Sequence, residues 1–365
     1  MKLRNKILLA AVATMGAMFL GGCDDKKAPA PAAPSAPAAS GPAAGGPKVA
    51  PPETAATTAP APTATGAKKS YVIGVIAKSQ SNPVFQAAHT GAVDAAKDLS
   101  AKLGVDISIN WRTPTSEDAQ QQAQFVEQLV AAGVNGISLS CTDAKVLTSA
   151  INAAADKGVP TITFDSDAPD SKRLAYYGMD DYNCGKLLAK EIAGQLGSKG
   201  TVAILGGNQN APNLQNRIRG VVDGLKDFPN VKIKDKYYHG ETAPEAVAKL
   251  EQVQQANPDI NGWVMVGGWP LFTANALDKI APVAKVVSVD TLPQELAYVK
   301  NGQVQVLLGQ KCYEWGYETV SMLVDKVHGG KSPAKVITTF EPVRVTKENV
   351  NEYEGQWDKW LGKKK

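Results

Sequence analysis

From Ser70 onward, short apolar runs alternate with amphipathic stretches. The run YVIGVIA (71–77), with its β-branched residues, predicts a strand, and the apolar spacing from Pro83 to Leu103 predicts a helix. The same alternation predicts strands at 105–111, 135–140, 160–164, 174–178, 201–207, 231–238, 262–267, 284–290 and 303–309. Helices are predicted at 116–132, 143–157 and 182–196, stopping at Gly133, Gly158 and Gly197, and in the remaining gaps. Runs that are apolar throughout, separated by helices, indicate parallel sheets covered on both faces. Some ten strands between 70 and 365 exceed one open sheet, so an α/β fold of two lobes is expected.

Open α/β sheets bind ligands beyond the carboxyl ends of their strands. Polar or aromatic residues gather at six such ends. Ser79, Gln80, Ser81 and Asn82 follow the first strand, and Asp165, Ser166 and Asp167 follow PTITF. Asn208, Gln209 and Asn210 follow TVAILGG, Gly268 and Trp269 follow GWVMVG, Asp290 and Thr291 follow AKVVSVD, and Gln310 follows QVQVLLG. Six such ends imply one shared cleft.

The pattern upstream of Ser70 is different. Residues 1–23 read as a basic start, an uncharged run from Ile7 to Gly22, and Cys23. The run is too short for an ordinary transmembrane span and has the shape of a signal peptide covering 1–22. Its tail, Leu20, Gly21, Gly22 and Cys23, resembles the bacterial lipobox, which implies cleavage before Cys23 and lipid on its sulfur. Asp24 then resembles an inner-membrane retention signal of Gram-negative lipoproteins. Multiple acyl chains hold a protein on a bilayer where one is marginal. Residues 28–67 hold sixteen Ala, ten Pro, four Gly and seven Ser or Thr, with only Lys48 and Glu53 charged. Such a segment cannot bury a core, so 23–69 is expected to be a lipidated, disordered Pro/Ala-rich tether.

Charge and chemistry narrow the function. The 365 residues carry a net +4, and Lys2, Arg4 and Lys6 account for three of those charges. The remaining chain is nearly neutral, which gives no drive toward nucleic acid. The three histidines, His89, His239 and His328, share no ligand-like spacing, and no D-x-D-x-D-G loop occurs, so no metal is expected. No G-x-S-x-G, P-loop or G-x-G-x-x-G is present, and no histidine stands beside a candidate nucleophile. A binding protein without catalytic residues or cofactor is the expectation.

The body resembles the periplasmic sugar-binding proteins of ABC transporters, specifically the ribose-binding-like group of type I. The likeness follows the chain in order. It includes Ser81-Asn82-Pro83-Val84-Phe85, GVP-TITFDSD (158–167), Tyr177 to Asp181 followed by Gly185-Lys186, and Asn216 to Gly220. It continues with Asn257-Pro258-Asp259, SVD (288–290) and Leu308-Gly309-Gln310. The resemblance implies two Rossmann-like lobes, parallel-sheeted and joined by a three-crossover hinge. One lobe is then 70–179 plus 311–340, and the other 180–310 plus 341–365. It implies a monomer that closes on a monosaccharide or related polyol and delivers it to an ABC permease in the inner membrane. A sensory receptor for a sugar or an autoinducer-2-like polyol, acting through a membrane chemoreceptor or kinase, is the alternative. The same fold serves LacI-type repressors, but a signal peptide and tether stand where a helix-turn-helix is needed.

Sugar hydroxyls suit ionised carboxylates and the planar fork of arginine, and aromatic rings cover C–H faces. The positions matching the family's ligand residues are Asn82, Phe85, Asp165, Arg217, Asp290 and Gln310. Trp269 stands where the family usually places a polar residue, and is expected to stack on the ligand. Asp165 and Asp290 could instead cap following helices, and Arg217 could form a surface ion pair. The chain departs from the ribose binders at Val84-Phe85, where they carry two Phe, and at Ser166, where they carry Arg. The stretch Asp165 to Asp167 also resembles the autoinducer-2 and rhamnose-type receptors. Besides Cys23 there are three cysteines, and the family mapping makes Cys184 and Cys312 a possible disulfide.

Overall fold

The computed structural model describes residues 68–361. The expected signal peptide, Cys23 and nearly all of the tether lie outside them. The chain opens with β1 (Ser70–Ile76), α1 (Val84–Leu103), β2 (Asp106–Trp111), α2 (Ala119–Ala131), β3 (Gly136–Leu139), α3 (Ala144–Asp156), β4 (Thr161–Phe164) and β5 (Ala175–Met179). It continues with α4 (Asp181–Gln195), β6 (Gly200–Gly206), α5 (Pro212–Gly224), β7 (Val231–Tyr238), α6 (Ala243–Ala256) and β8 (Gly262–Met265). Then follow β9 (Lys285–Val289), α7 (Pro293–Lys300), β10 (Val306–Gly309), α8 (Cys312–Gly329), β11 (Ile337–Phe340), β12 (Val343–Val345) and α9 (Val350–Trp360).

The strands form two six-stranded sheets, ordered β11-β5-β4-β3-β1-β2 and β12-β10-β9-β8-β6-β7. Every pairing is parallel except that of β10 with β12. Both sheets thus run in the same winding order. In each, the order reverses beside the first strand, between β1 and β3 or between β6 and β8, where an open sheet leaves a crevice. The chain passes from one sheet to the other after β5, after β10, and between β11 and β12.

Local chemistry explains the elements. β3, β4, β8 and β10 are buried at every position, as parallel strands covered by helices must be. Helix starts are supplied with acceptors: Asp118 for Gln121 N–H, Asp143 for Lys145 and Val146 N–H, and Asp180 for Asn183 N–H. Gly133 and Gly158 end α2 and α3 in the left-handed region, at φ 75° and 79°. The apolar runs predict ten of the strands. The two that they miss, β11 and β12, are short, lie at sheet edges and are only partly buried, so they carry no continuous apolar signal.

The largest apolar cluster draws on both sheets. Ile73, Phe85, Phe164 and Trp315 belong to the first half, and Leu205, Trp263 and Leu296 to the second. Tyr353 and Trp357 of α9 are part of it, and α9 packs on both α7 and α1. The cysteines correct one expectation. Cys141, Cys184 and Cys312 are free and buried, so Cys184 and Cys312 form no disulfide. Cys184 faces inward from α4 with Leu188 and Ile192, in the core of the second half. Cys312 opens α8 in the larger cluster, and its thiol donates to the Gln310 carbonyl at 3.7 Å. Burial pushes both thiols up and keeps them protonated.

Candidate functional site

Two strand ends aim carboxylates into the crevice. Asp165 directly follows β4 and Asp290 directly follows β9, with φ of 56° and 79°. Non-glycine residues in that region cost on the order of 1–3 kcal/mol, a strain that clusters at functional sites. Neither caps a helix. The residues after Asp165 form turns, and the first turn of α7 is held by Glu295, whose carboxylate accepts the Leu292 N–H at 2.6 Å. Asp290 instead accepts from Gln310 Nε2 at 2.6 Å and from Gly268 N–H at 3.1 Å. Asp165 accepts from Ser140 Oγ at 2.7 Å and from Asn213 Nδ2 at 3.2 Å. Ser140 follows β3 and Asn213 sits on α5, so Asp165 is held from both halves of the molecule.

Arg217 joins these groups. It is 2% exposed, which excludes a surface ion pair. Its Nε donates to Asp181 Oδ1 at 2.8 Å, Nη1 to the Val266 carbonyl at 3.0 Å and Nη2 to Gln310 Oε1 at 2.8 Å. A hydrogen-bonded chain therefore runs Asp181, Arg217, Gln310, Asp290 and Gly268. The position of the guanidinium depends on helix packing. A Cβ on Gly185 of α4 would lie 2.1 Å from the Arg217 carbonyl, and one on Gly220 of α5 would lie 2.1 Å from that of Tyr182. Only glycine at these positions lets the two helices approach closely enough to bury Arg217.

Burial sets the electrostatics. It works against the charge of Arg217, but Asp181 with Asp165 and Asp290 outweighs it, and the guanidinium is raised. Asp181 is pushed up to about 7 by burial, with Arg217 pulling it back. Asp165 is raised for the same first reason, opposed by Lys78 and Arg217. Among the described residues, no cation lies within ion-pair distance of Asp165 or Asp290. Both carboxylates thus keep acceptor capacity for hydroxyl donors.

The other expected site residues take different places. Asn82 accepts the Val84 N–H at 3.2 Å, at the start of α1. Phe85 is turned into the core against Trp315, with ring centroids 6.1 Å apart. Trp269 opens a single 3-10 turn over Gly267 and meets His239 edge-on at 5.0 Å. Its indole N–H is buried without an acceptor, an unmet donor in the second half.

Sequence reasoning missed a second charged group. Lys78, two residues past β1, lies 3.3 Å from Glu117 and 3.4 Å from Glu241. Glu117 follows β2 and Glu241 follows β7, two carboxyl ends whose loops pass unremarked because neither flanking strand is fully apolar. Like the other six, both loops carry polar residues beyond the carboxyl end of a parallel strand. Asn213 and Ser140 are legible only once α5 and β3 are placed in space.

Comparison with known proteins agrees with this architecture. A ribose import binding protein of Bacillus subtilis is 25% identical over 276 residues, covering 74% of this chain and 86% of that protein. A solved glucose-galactose binding protein from Geobacillus stearothermophilus is 27% identical, with a TM-score of 0.71, covering 77% of this chain and 99% of its own. A Burkholderia graminis ABC transporter solute-binding protein solved with D-arabinose is 26% identical, with a TM-score of 0.71, covering 79% and 99%. The periplasmic binding protein domain profile matches residues 73–331, and with two like-wound sheets meeting at a charged crevice, the chain belongs to that family.

Proposed function

We propose that this protein captures a monosaccharide or related polyol between its two halves and delivers it to an ABC permease. The observation that carries the reading is the pair Asp165 and Asp290. They are strained strand-end carboxylates with spare acceptor capacity, coupled to a buried arginine. Sugar hydroxyls would donate to them while Gln310, itself anchored by Arg217, holds Asp290 in place and Ser140 and Asn213 hold Asp165. Asn82 would stand at the near wall with Phe85 packed behind it in the core, and Trp269 would cover a C–H face of the ring, its indole N–H meeting a ligand oxygen. The relatives' names as import binding proteins support work outside the cytoplasmic membrane. In our reading Cys23 carries the lipid, and a single copy moves on the tether over the outer face of the inner membrane.

A thermal-shift panel of pentoses, hexoses and polyols tests the proposal. Ligand at a hundredfold excess over Kd stabilises the folded state by about 2.7 kcal/mol. A rise in Tm of several degrees for one or a few sugars is expected. A panel in which no sugar or polyol moves the transition overturns the reading.

A further inference from the structure

We propose that Lys78, Glu117 and Glu241 form a latch across the cleft, so that closing the two halves takes up one proton and is favoured as pH falls. The inference rests on the two-lobed capture reading and concerns residues apart from the proposed sugar contacts.

The geometry is a count of charges. Lys78 Nζ touches Glu117 Oε1 at 3.3 Å and Glu241 Oε2 at 3.4 Å, and all three side chains are largely buried. Lys78 and Glu117 belong to loops of the first sheet, Glu241 to a loop of the second. With the halves apart, Lys78 and Glu117 make a one-to-one ion pair and Glu241 meets water. With the halves together, one ammonium serves two carboxylates, and the buried trio carries one negative charge too many. A proton removes the excess. Hydrogen bonding decides where it sits. Glu241 Oε1 accepts the Asn208 N–H at 2.7 Å, whereas Glu117 Oε2 receives no donor and faces the Glu241 carboxylate, to which a proton on Glu117 is donated. Glu241 is also held at φ 60°, as a residue fixed in place by its surroundings.

The neighbouring groups agree. Burial pushes the Glu117 carboxyl well above the usual range; Lys78 pulls it back and Glu241 adds to the rise. Burial also opposes the charge of Glu241, but Lys78, Glu117 and Asn208 hold it down. Burial acts against Lys78 too, and is outweighed by Glu117, Glu241 and Asp165. His239, the nearest alternative proton acceptor, uses Nδ1 to accept the Glu241 N–H at 3.0 Å, and burial lowers it to about 4. Glu245 accepts the Gly240 N–H and faces His239 rather than Glu117. The sign follows. A carboxyl whose value is higher in the closed form favours closure at low pH, and that contribution is lost as pH rises through the closed-form value. The closure constant changes by up to about tenfold per pH unit for one proton.

The test uses the full chain carrying Cys23→Ser, with energy-transfer dyes on Lys102→Cys and Lys232→Cys, both exposed and on opposite halves. Without sugar, transfer is expected to be high near pH 5.5 and to fall toward pH 8.5. Glu117→Gln, a neutral mimic of the protonated side chain, is expected to hold the high value throughout. Glu241→Gln is expected to flatten the profile as well, because Lys78 and Glu117 then balance. Lys78→Met leaves two carboxyls without a cation, needs two protons, and is expected to shift the fall to lower pH. A wild-type profile flat in pH, or one unchanged by Glu117→Gln and Glu241→Gln, overturns the latch. Calorimetry with D-ribose and D-arabinose in two buffers of different ionisation heat is the second arm. Wild type is expected to take up about one proton more than Glu117→Gln. If neither sugar gives heat, the choice of sugar as ligand fails, while the transfer profile still decides the latch.

Discussion

At the residue scale, Asp290 separates backbone cost from ligand chemistry. Removing its carboxylate leaves the Gln310 amide and Gly268 N–H without their acceptor. Charge-assisted hydrogen bonds are worth about 1.5–3 kcal/mol each. Asp290→Ala and Arg217→Ala are therefore expected to weaken binding of the best sugar in the thermal panel by tenfold to a hundredfold, roughly. Asp290→Gly loses the same carboxylate but tolerates φ 79° freely, so it should be more stable than Asp290→Ala by about 1 kcal/mol with an equal loss of affinity. Calorimetric titration and melting of the same variants check both parts. Unchanged affinity in all of them would place the ligand elsewhere. Arg217 was named only through the family likeness, whereas Asp165, Asp290 and Gln310 were legible as polar residues at strand ends. The left-handed backbone at the two aspartates was not, since Asp commonly marks turns and caps as well.

At the element scale, two glycine contacts set how the helices meet. Gly220 approaches the Tyr182 carbonyl across α4 and α5, and Gly316 approaches the Ala88 carbonyl across α1 and α8, where a Cβ would lie 1.8 Å away. Gly220→Leu must push α5 outward, and is expected to cost at least 1–3 kcal/mol, roughly, and to loosen Arg217 as well. Gly194, also on α4, faces open space. Gly194→Ala should instead raise stability by up to about 1 kcal/mol, through helix propensity alone. Denaturant melts of the two variants with a sugar titration distinguish packing from propensity: only the Gly220 variant should lose affinity. The strands were legible because buried parallel strands leave unbroken apolar runs. The helix crossings were not, because Gly185 and Gly220 lie 35 positions apart and acquire meaning only when α4 and α5 touch.

At the scale of the whole molecule, the composition boundary near Ser70 separates a segment without apolar periodicity from the folded body. Deleting 28–67 is expected to leave the Tm of the body within about a degree, since such a segment adds no core. Cys23→Ala is expected to release the protein from membranes on fractionation while leaving sugar-induced stabilisation intact. A drop of many degrees in the first case, or unchanged fractionation in the second, would contradict these roles. The two-sheet division was legible from strand number, and the family likeness supplied the places to look for crossings. The latch leaves no trace in the sequence because its three members come from 78, 117 and 241, and no local pattern links them.

The three passages between sheets also govern the order in which the body can be completed. The first sheet lacks β11, and α1 lacks α8, until residues 312–340 have left the synthesising or translocating machinery. Until then β5 is an open edge and the apolar side of α1 is bare. The second half, contiguous from α4 to β10, has all but one short strand by residue 309. The half that begins first therefore waits for its closing helix and edge strand until the other is all but built. For most of its emergence the chain presents a first sheet with one edge open and α1 without its partner helix, and whatever shields nascent chains must act on that half until α8 arrives.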